Sequence, residues 1–171
     1  MRKYIFILTF LLSTTFFFGQ TEEEIKAINK VVELINKDST YTKKVLDNEK
    51  WLKHDTDNGV EVTAYIKNGQ VVKIIEWLGF SNYISIYEYY IQNNSLIFVY
   101  GQEKEFKFDN KTDSFNYNIQ TVISENRYYF NNEKFIKSVF SGYPRNPKRA
   151  TNDYSNNLLA DCEKYLKLFL K

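Results

Sequence analysis

Residues 60–78, VEVTAYIKNGQVVKIIEWL, contain the pattern that decides the fold. Apolar residues occupy every second position from Val60 to Ile66, which is the period expected of a β-strand with one buried face. Asn68-Gly69 follows, and a second β-rich run extends from Val71 to Leu78. Asn-Gly between two such runs favours a type I′ turn, because both residues tolerate a positive φ angle. The stretch therefore predicts an antiparallel β-hairpin.

Two other parts of the chain repeat this combination of β-rich runs and asparagine turns. Asn93-Asn94 lies between two such runs, and Asn131-Asn132-Glu133 lies between another two. A further run, 115–123, alternates apolar and polar residues as a strand with one buried face does. Consecutive hairpins of this kind predict an antiparallel β-meander over residues 60–140.

A helical pattern precedes the meander, and residues 20–55 are predicted to be a helical N-terminal segment. Thr21 and Glu24 form a candidate capping box, and apolar residues recur at helical spacing over 25–35. A weaker helical pattern runs over 41–51. This second pattern is ambiguous, so the structure of that stretch is left open.

A last helix is predicted over residues 153–170, where Leu158, Cys162 and Tyr165 fall on one apolar face. Strands in the middle of a chain with helices at both ends indicate an α+β domain. We therefore expect an antiparallel β-meander of about six strands, with the N-terminal and the C-terminal helix packed on one face of the sheet.

Residues 1–19 have the three parts of a cleavable secretory signal peptide. Arg2-Lys3 is a basic start, 4–18 is uncharged and mostly apolar, and Gly19 is a small residue before a polar turn. An uncleaved N-terminal anchor is the alternative, although about 20 apolar residues are needed to span a bilayer. We expect export to the periplasm or the extracellular space, a single domain over 20–171, and no stable membrane anchor after cleavage.

Removal of the predicted signal peptide changes the charge of the protein. The full chain has 23 Lys and Arg residues against 21 Asp and Glu residues, a formal net charge of +2. Without Arg2 and Lys3 the basic and acidic residues are equal in number. A neutral domain lacks the positive field of a nucleic-acid-binding protein, so we expect no nucleic-acid partner.

The three predicted hairpins share an aromatic–apolar–x–Asn core. The copies are Ala64-Tyr65-Ile66-Lys67-Asn68-Gly69, Tyr89-Tyr90-Ile91-Gln92-Asn93-Asn94 and Tyr128-Tyr129-Phe130-Asn131-Asn132-Glu133. The pattern resembles that of small exported bacterial proteins of unknown function and, more distantly, the aromatic hairpins of MORN-type repeats. The resemblance covers residues 64–139, and only the first copy has the turn glycine. It implies a surface for partners or lipids rather than a catalytic site.

The residues that commonly bind metals or carry out catalysis are few. His54 is the only histidine and Cys162 the only cysteine, so the paired ligands of a zinc site are missing. The sequence has no G-x-S-x-G, S-x-x-K or P-loop motif. We predict no catalytic residue, metal site, cofactor or enzymatic activity. The alternative is a hydrolase of the cell envelope that uses paired carboxylates, with Glu76, Glu88 and Glu125 as candidates.

Tyrosines are the most suggestive feature of the mature sequence. Tyr83, Tyr87 and Tyr89 alternate on one face of a predicted strand, and Tyr65 is a candidate neighbour. A tyrosine combines a broad apolar ring with a polar tip, which suits an exposed recognition surface. The alternative is that these residues reflect strand propensity alone.

A compact basic loop, formed by Arg145, Lys148 and Arg149, follows the meander. Its charges are candidates for binding an acidic partner or a phosphate, and a solvated linker is the alternative. We predict a non-enzymatic binding or protein-interaction module, whose partner is a protein, a glycan or a small apolar ligand. An envelope inhibitor or immunity-type protein is a further alternative.

Overall fold

The computed structural model describes residues 21–46 and 56–170. The predicted signal peptide, residues 1–19, and His54 lie outside the described residues. The described residues divide into two compact units, one that ends at residue 37 and one that begins at residue 38. In the first unit, helix α1 spans residues 21–37, in agreement with the helical spacing of the sequence.

The second unit is built on one seven-stranded antiparallel sheet, in which each strand pairs with the next along the chain. The strands are β1 (Thr42–Val45), β2 (Val60–Lys67), β3 (Gln70–Gly79), β4 (Tyr83–Gln92), β5 (Ser95–Asp109), β6 (Ser114–Asn131) and β7 (Lys134–Gly142). The predicted α+β class and antiparallel meander are confirmed. The sheet has seven strands rather than about six.

Strand β1 lies in the stretch for which a second helix was considered. It pairs antiparallel with β2, so that Thr42 lies opposite Ile66 and Val45 opposite Thr63. All four residues of β1 are exposed, and no alternation of buried and exposed positions marks the strand. Its conformation follows from pairing with β2, which is a contact that the local sequence pattern does not reveal.

Three hairpins of the sheet use the same two-residue turn. Asn68-Gly69, Asn93-Asn94 and Asn132-Glu133 all have positive φ angles, the geometry that matches the twist of the flanking strands. In each hairpin the pairing register shifts by one residue soon after the turn, at Val72, Ile97 and Ile136. The three related sequences therefore form three copies of one local structure: a turn followed by a bulge.

Helix α2 (Tyr154–Phe169) packs on one face of the sheet, here called the inner face. Its buried side chains include Leu158, Cys162 and Tyr165, which join apolar residues of the strands in one core. The strand residues of this core include Val62, Ala64, Ile74, Tyr89, Val99, Tyr128 and Phe130. The opposite side of the sheet is called the outer face. Among the described residues, no helix is both long enough and apolar enough to cross a membrane.

Candidate functional site

Two of the tyrosines proposed for recognition lie on the inner face. Tyr87 and Tyr89 are 1% and 0% exposed. The ring of Tyr87 contacts that of Tyr154, and the ring of Tyr89 contacts that of Tyr165, both from α2. These two tyrosines do share a strand face, but α2 covers that face. They are core residues and form no exposed recognition surface.

The other two tyrosines lie apart from this pair. Tyr83, at the start of β4, is partly exposed and stacks on Phe80 with ring centroids 4.3 Å apart. Tyr65 is on β2, where it meets the ring of Tyr41 edge-on at a centroid distance of 6.2 Å. The structure therefore does not bring the four tyrosines together, and Tyr65 is the one that lines an open concavity described below.

A polar group interrupts the apolar packing between α2 and the sheet. Glu76 on β3 accepts hydrogen bonds from the hydroxyls of Tyr165 and Tyr89. Burial raises the pKa of Glu76, against the lowering effect of the bond from Tyr165, and the nearby Asp161 raises it further. Burial also raises the pKa of Asp161. Perturbed carboxyl groups are common in functional sites, but this one is held by bonds that fasten α2 to the sheet.

The three carboxylates considered for hydrolysis do not all lie on one face of the sheet. Glu76 lies on the inner face, while the strand register places Glu88 and Glu125 on the outer face. Glu88 is 2.7 Å from the Nζ atom of Lys73, and Glu125 accepts a hydrogen bond from the hydroxyl of Tyr100. Because the sheet separates Glu76 from the other two, it cannot pair with either of them across a common substrate.

Arg149 of the predicted basic loop turns inward toward the sheet. Its guanidinium donates a hydrogen bond of 2.8 Å to Ser85 Oγ and lies 4.0 Å from a carboxylate oxygen of Glu103. It also lies over the ring of Tyr87, 5.5 Å from the ring centroid. The charge of Arg149 is therefore engaged in contacts within the protein.

Arg145 is engaged in a similar way. Its guanidinium pairs with Glu105, and its backbone N–H donates a hydrogen bond of 2.6 Å to Glu103. Lys148, the third basic residue of the loop, remains exposed. Two of the three charges thus hold the loop on β5, and the loop does not offer the compact cationic patch that the sequence suggested.

The outer face carries a concavity of about 670 Å³ where strands β2, β3 and β4 lie side by side. Trp77 lies opposite Ile86, and Ile75 lies opposite Glu88 one row further along. The lining consists of Asn58, Gly59, Val60, Glu61, Thr63, Tyr65, Ile75, Trp77, Ile86 and Glu88. Its volume and its mixture of apolar, aromatic and polar residues resemble those of small-molecule sites, and it is open to solvent.

One wall of this concavity is the turn that leads into β2. The backbones of Asn58 and Gly59 are hydrogen-bonded to Gly79 at the end of β3, at 3.1 and 2.9 Å. The Asn58 side chain adds a 2.8 Å bond to the carbonyl of Phe80. A Cβ atom on Gly79 would lie 2.5 Å from the ring of Trp77 and 2.9 Å from the Asn58 carbonyl oxygen. Only glycine fits where the wall, β3 and the indole meet.

The two acidic residues that line the concavity differ in their ion pairing. Glu88 pairs with Lys73 at 2.7 Å and accepts a hydrogen bond of 2.5 Å from the hydroxyl of Tyr90. Glu61 is exposed and accepts a hydrogen bond of 2.8 Å from Thr63, and no ion pair of Glu61 is found within residues 21–46 and 56–170. Glu61 therefore gives the rim of the concavity a negative charge.

Sequence reasoning did not select Trp77, Ile75, Ile86 or Glu61 as site residues. The β-strand pattern predicts that successive side chains lie on alternate faces of the sheet. It does not predict which of the two faces a helix leaves uncovered. Within the part of the chain that the structure describes, no group of three His, Cys, Asp or Glu side chains can hold a metal ion. Comparisons with protein-family models, curated proteins and solved structures find no match to this chain.

Proposed function

We propose that this protein is a non-enzymatic binding module that takes up a small ligand in the outer-face concavity. The observation that carries the proposal is the concavity of about 670 Å³, which has an apolar and aromatic floor. Its wall is fixed by backbone hydrogen bonds to Gly79, so the site is formed before a ligand arrives. A preformed site binds without the cost of ordering its own walls.

The lining favours a ligand with an apolar body and one positively charged end. Ile75, Ile86 and Trp77 offer apolar area, and burial of such area is worth about 25 cal/mol per Å². Glu88 is already neutralised by Lys73, whereas Glu61 is available at the rim. An amine that reaches Glu61 would also lie near the indole of Trp77, whose face attracts cations.

Titration of three matched probes tests this proposal. The chain has two tryptophans, so Trp51→Phe leaves the Trp77 indole as the only fluorescent reporter of its kind. We expect saturable changes in Trp77 fluorescence with phenethylamine, weaker binding of phenethyl alcohol and the weakest binding of phenylpropionate. Glu61→Gln should weaken amine binding by about twofold to fivefold, which is the strength of an exposed ion pair.

Tyr143→Ala provides the control, because Tyr143 is 90% exposed and does not line the concavity. It should leave the affinity for all three probes unchanged. If none of the probes gives a saturable signal, the concavity is not a site for such ligands. If the amine and the alcohol bind equally well, the role assigned to Glu61 is wrong.

A further inference from the structure

Strand β7 lies at one edge of the sheet. It is last in the strand order. Within the described residues, no strand pairs with the edge of β7 that points away from β6. It has nine residues, against four in β1 at the opposite edge. Val139 and Phe140 are 42% and 37% exposed. A long edge with exposed apolar residues is a template for pairing with another strand.

Symmetry limits how two copies of β7 can pair. When two identical strands meet antiparallel about a twofold axis perpendicular to the sheet, one residue must lie opposite its own copy. Lys137 and Val139 are on the outer face, where β6 places Arg127 beside Val139 and Glu125 beside Ser141. The charges of β6 therefore discriminate between a register with its axis at Ser138 and one with its axis at Val139.

An axis at Ser138 would place Lys137 opposite Val139 of the other copy. The next strand of that copy, β6, carries Arg127 beside this Val139, so two positive charges would lie near each other. An axis at Val139 instead places Lys137 opposite Ser141 of the other copy. Strand β6 of that copy carries Glu125 beside this Ser141. Lys137 and Glu125 would then be two strand spacings apart, about 10 Å between Cα atoms, across a small serine. Their long side chains can span that gap. Within one copy Arg127 lies 3.8 Å from Glu125, so the first register brings Lys137 to the basic member of this pair and the second register brings it to the acidic member.

We propose that the protein forms a twofold-symmetric dimer through antiparallel pairing of two β7 strands, with Val139 at the axis. The two seven-stranded sheets would become one continuous sheet. Symmetry forms the Lys137–Glu125 pair twice, which is the reason to assign the edge to a second copy rather than to an unrelated peptide. The proposal is independent of ligand binding, because the concavity lies on β2 to β4.

Sedimentation of the purified protein over a range of concentrations tests the dimer. The wild-type protein should sediment as a dimer, and Val139→Lys, which sets two lysines against each other at the axis, should sediment as a monomer. Val45→Lys is the matched control, because Val45 is an exposed valine on the opposite edge strand. It should leave the dimer intact.

A charge exchange tests the register. Lys137→Glu and Glu125→Lys should each weaken the dimer by placing like charges together, and the double variant should regain it. Circular dichroism of each variant separates loss of the dimer from loss of the fold. A wild-type protein that is monomeric at every concentration overturns the proposal. So does a folded Val139→Lys variant that stays dimeric, or a folded double variant that fails to recover.

Discussion

Glu76 illustrates how a single side chain can couple the fold to pH. Its carboxylate lies on the inner face, where the hydroxyls of Tyr165 and Tyr89 donate to it. Burial raises its pKa above the ordinary value of 4.5. A carboxyl group whose pKa is raised by folding stabilises the folded protein in its protonated form. That contribution is complete below pH 4.5 and is lost as the pH rises through the raised pKa.

Glu76→Gln tests this coupling, because glutamine keeps the shape and the acceptor oxygen but stays neutral at every pH. We expect the free energy of unfolding of the variant, relative to wild type, to increase as the pH is raised from below 4.5 to neutral. Urea unfolding at a series of pH values measures this difference.

Glu163→Gln is the control, because its stability relative to wild type should change with pH in the opposite direction. The hydrogen bond from Lys167 lowers the pKa of Glu163, so its stabilising effect is present above the ordinary pKa and lost on acidification. The relative stability of this variant should therefore decrease slightly as the pH rises. If the difference in free energy of unfolding between Glu76→Gln and wild type does not change with pH, Glu76 does not make the stability of the fold depend on pH.

At the scale of elements, the three turns of the meander are alike in conformation but unequal in sequence. Asn68-Gly69 has the pair best suited to two positive φ angles, whereas Glu133 adopts a φ of 60° in the third turn. A side chain other than glycine or asparagine costs about 1–2 kcal/mol in this left-handed conformation. The third hairpin therefore carries backbone strain that the first one avoids.

Glu133→Gly should raise the free energy of unfolding by about 1 kcal/mol, because it removes this strain. Glu133→Ala is the matched control: it removes the same charge but keeps the Cβ atom, so it should bring little gain. Thermal and urea unfolding of the two variants measure the effect. Equal stabilisation by both substitutions would assign the gain to the lost charge instead.

The elements that were predicted correctly are those with a strong local signal. The Asn68-Gly69 hairpin, its two relatives and the final helix each have their turn residues or apolar spacing within the element itself. Strand β1 was missed because its conformation depends on β2. The burial of Tyr87 depends on Tyr154 of α2, and the inward position of Arg149 depends on Ser85. Such contacts between distant parts of the sequence are not visible in a local pattern.

At the scale of the whole molecule, α2 and the loop before it contact the sheet from one edge to the other. The Nζ atom of Lys44 on β1 donates a 3.1 Å hydrogen bond to the carbonyl of Phe169 at the end of α2. Toward the other edge, the hydroxyl of Tyr128 on β6 donates to the carbonyl of Arg149 at 2.6 Å. The helix and the loop before it thus hold strands that are distant from one another in sequence, which favours cooperative unfolding.

Leu158→Ala tests whether α2 and the sheet unfold together. Leu158 is fully buried in the core that α2 shares with the strands, so its truncation leaves a cavity between the two layers. We expect a loss of about 2–5 kcal/mol in the free energy of unfolding. Far-ultraviolet circular dichroism and tyrosine fluorescence should shift to the same lower urea midpoint, because neither layer keeps its core without the other.

Leu170→Ala is the matched control, since this leucine directly follows α2 and is 65% exposed. Its truncation should change the free energy of unfolding by less than about 0.5 kcal/mol, as is usual for a surface substitution. If the circular dichroism and fluorescence signals of Leu158→Ala have different urea midpoints, the sheet stays folded when α2 has unfolded. In that case the inner-face contacts of Tyr87, Tyr89 and Glu76 secure the helix without stabilising the strands beneath it.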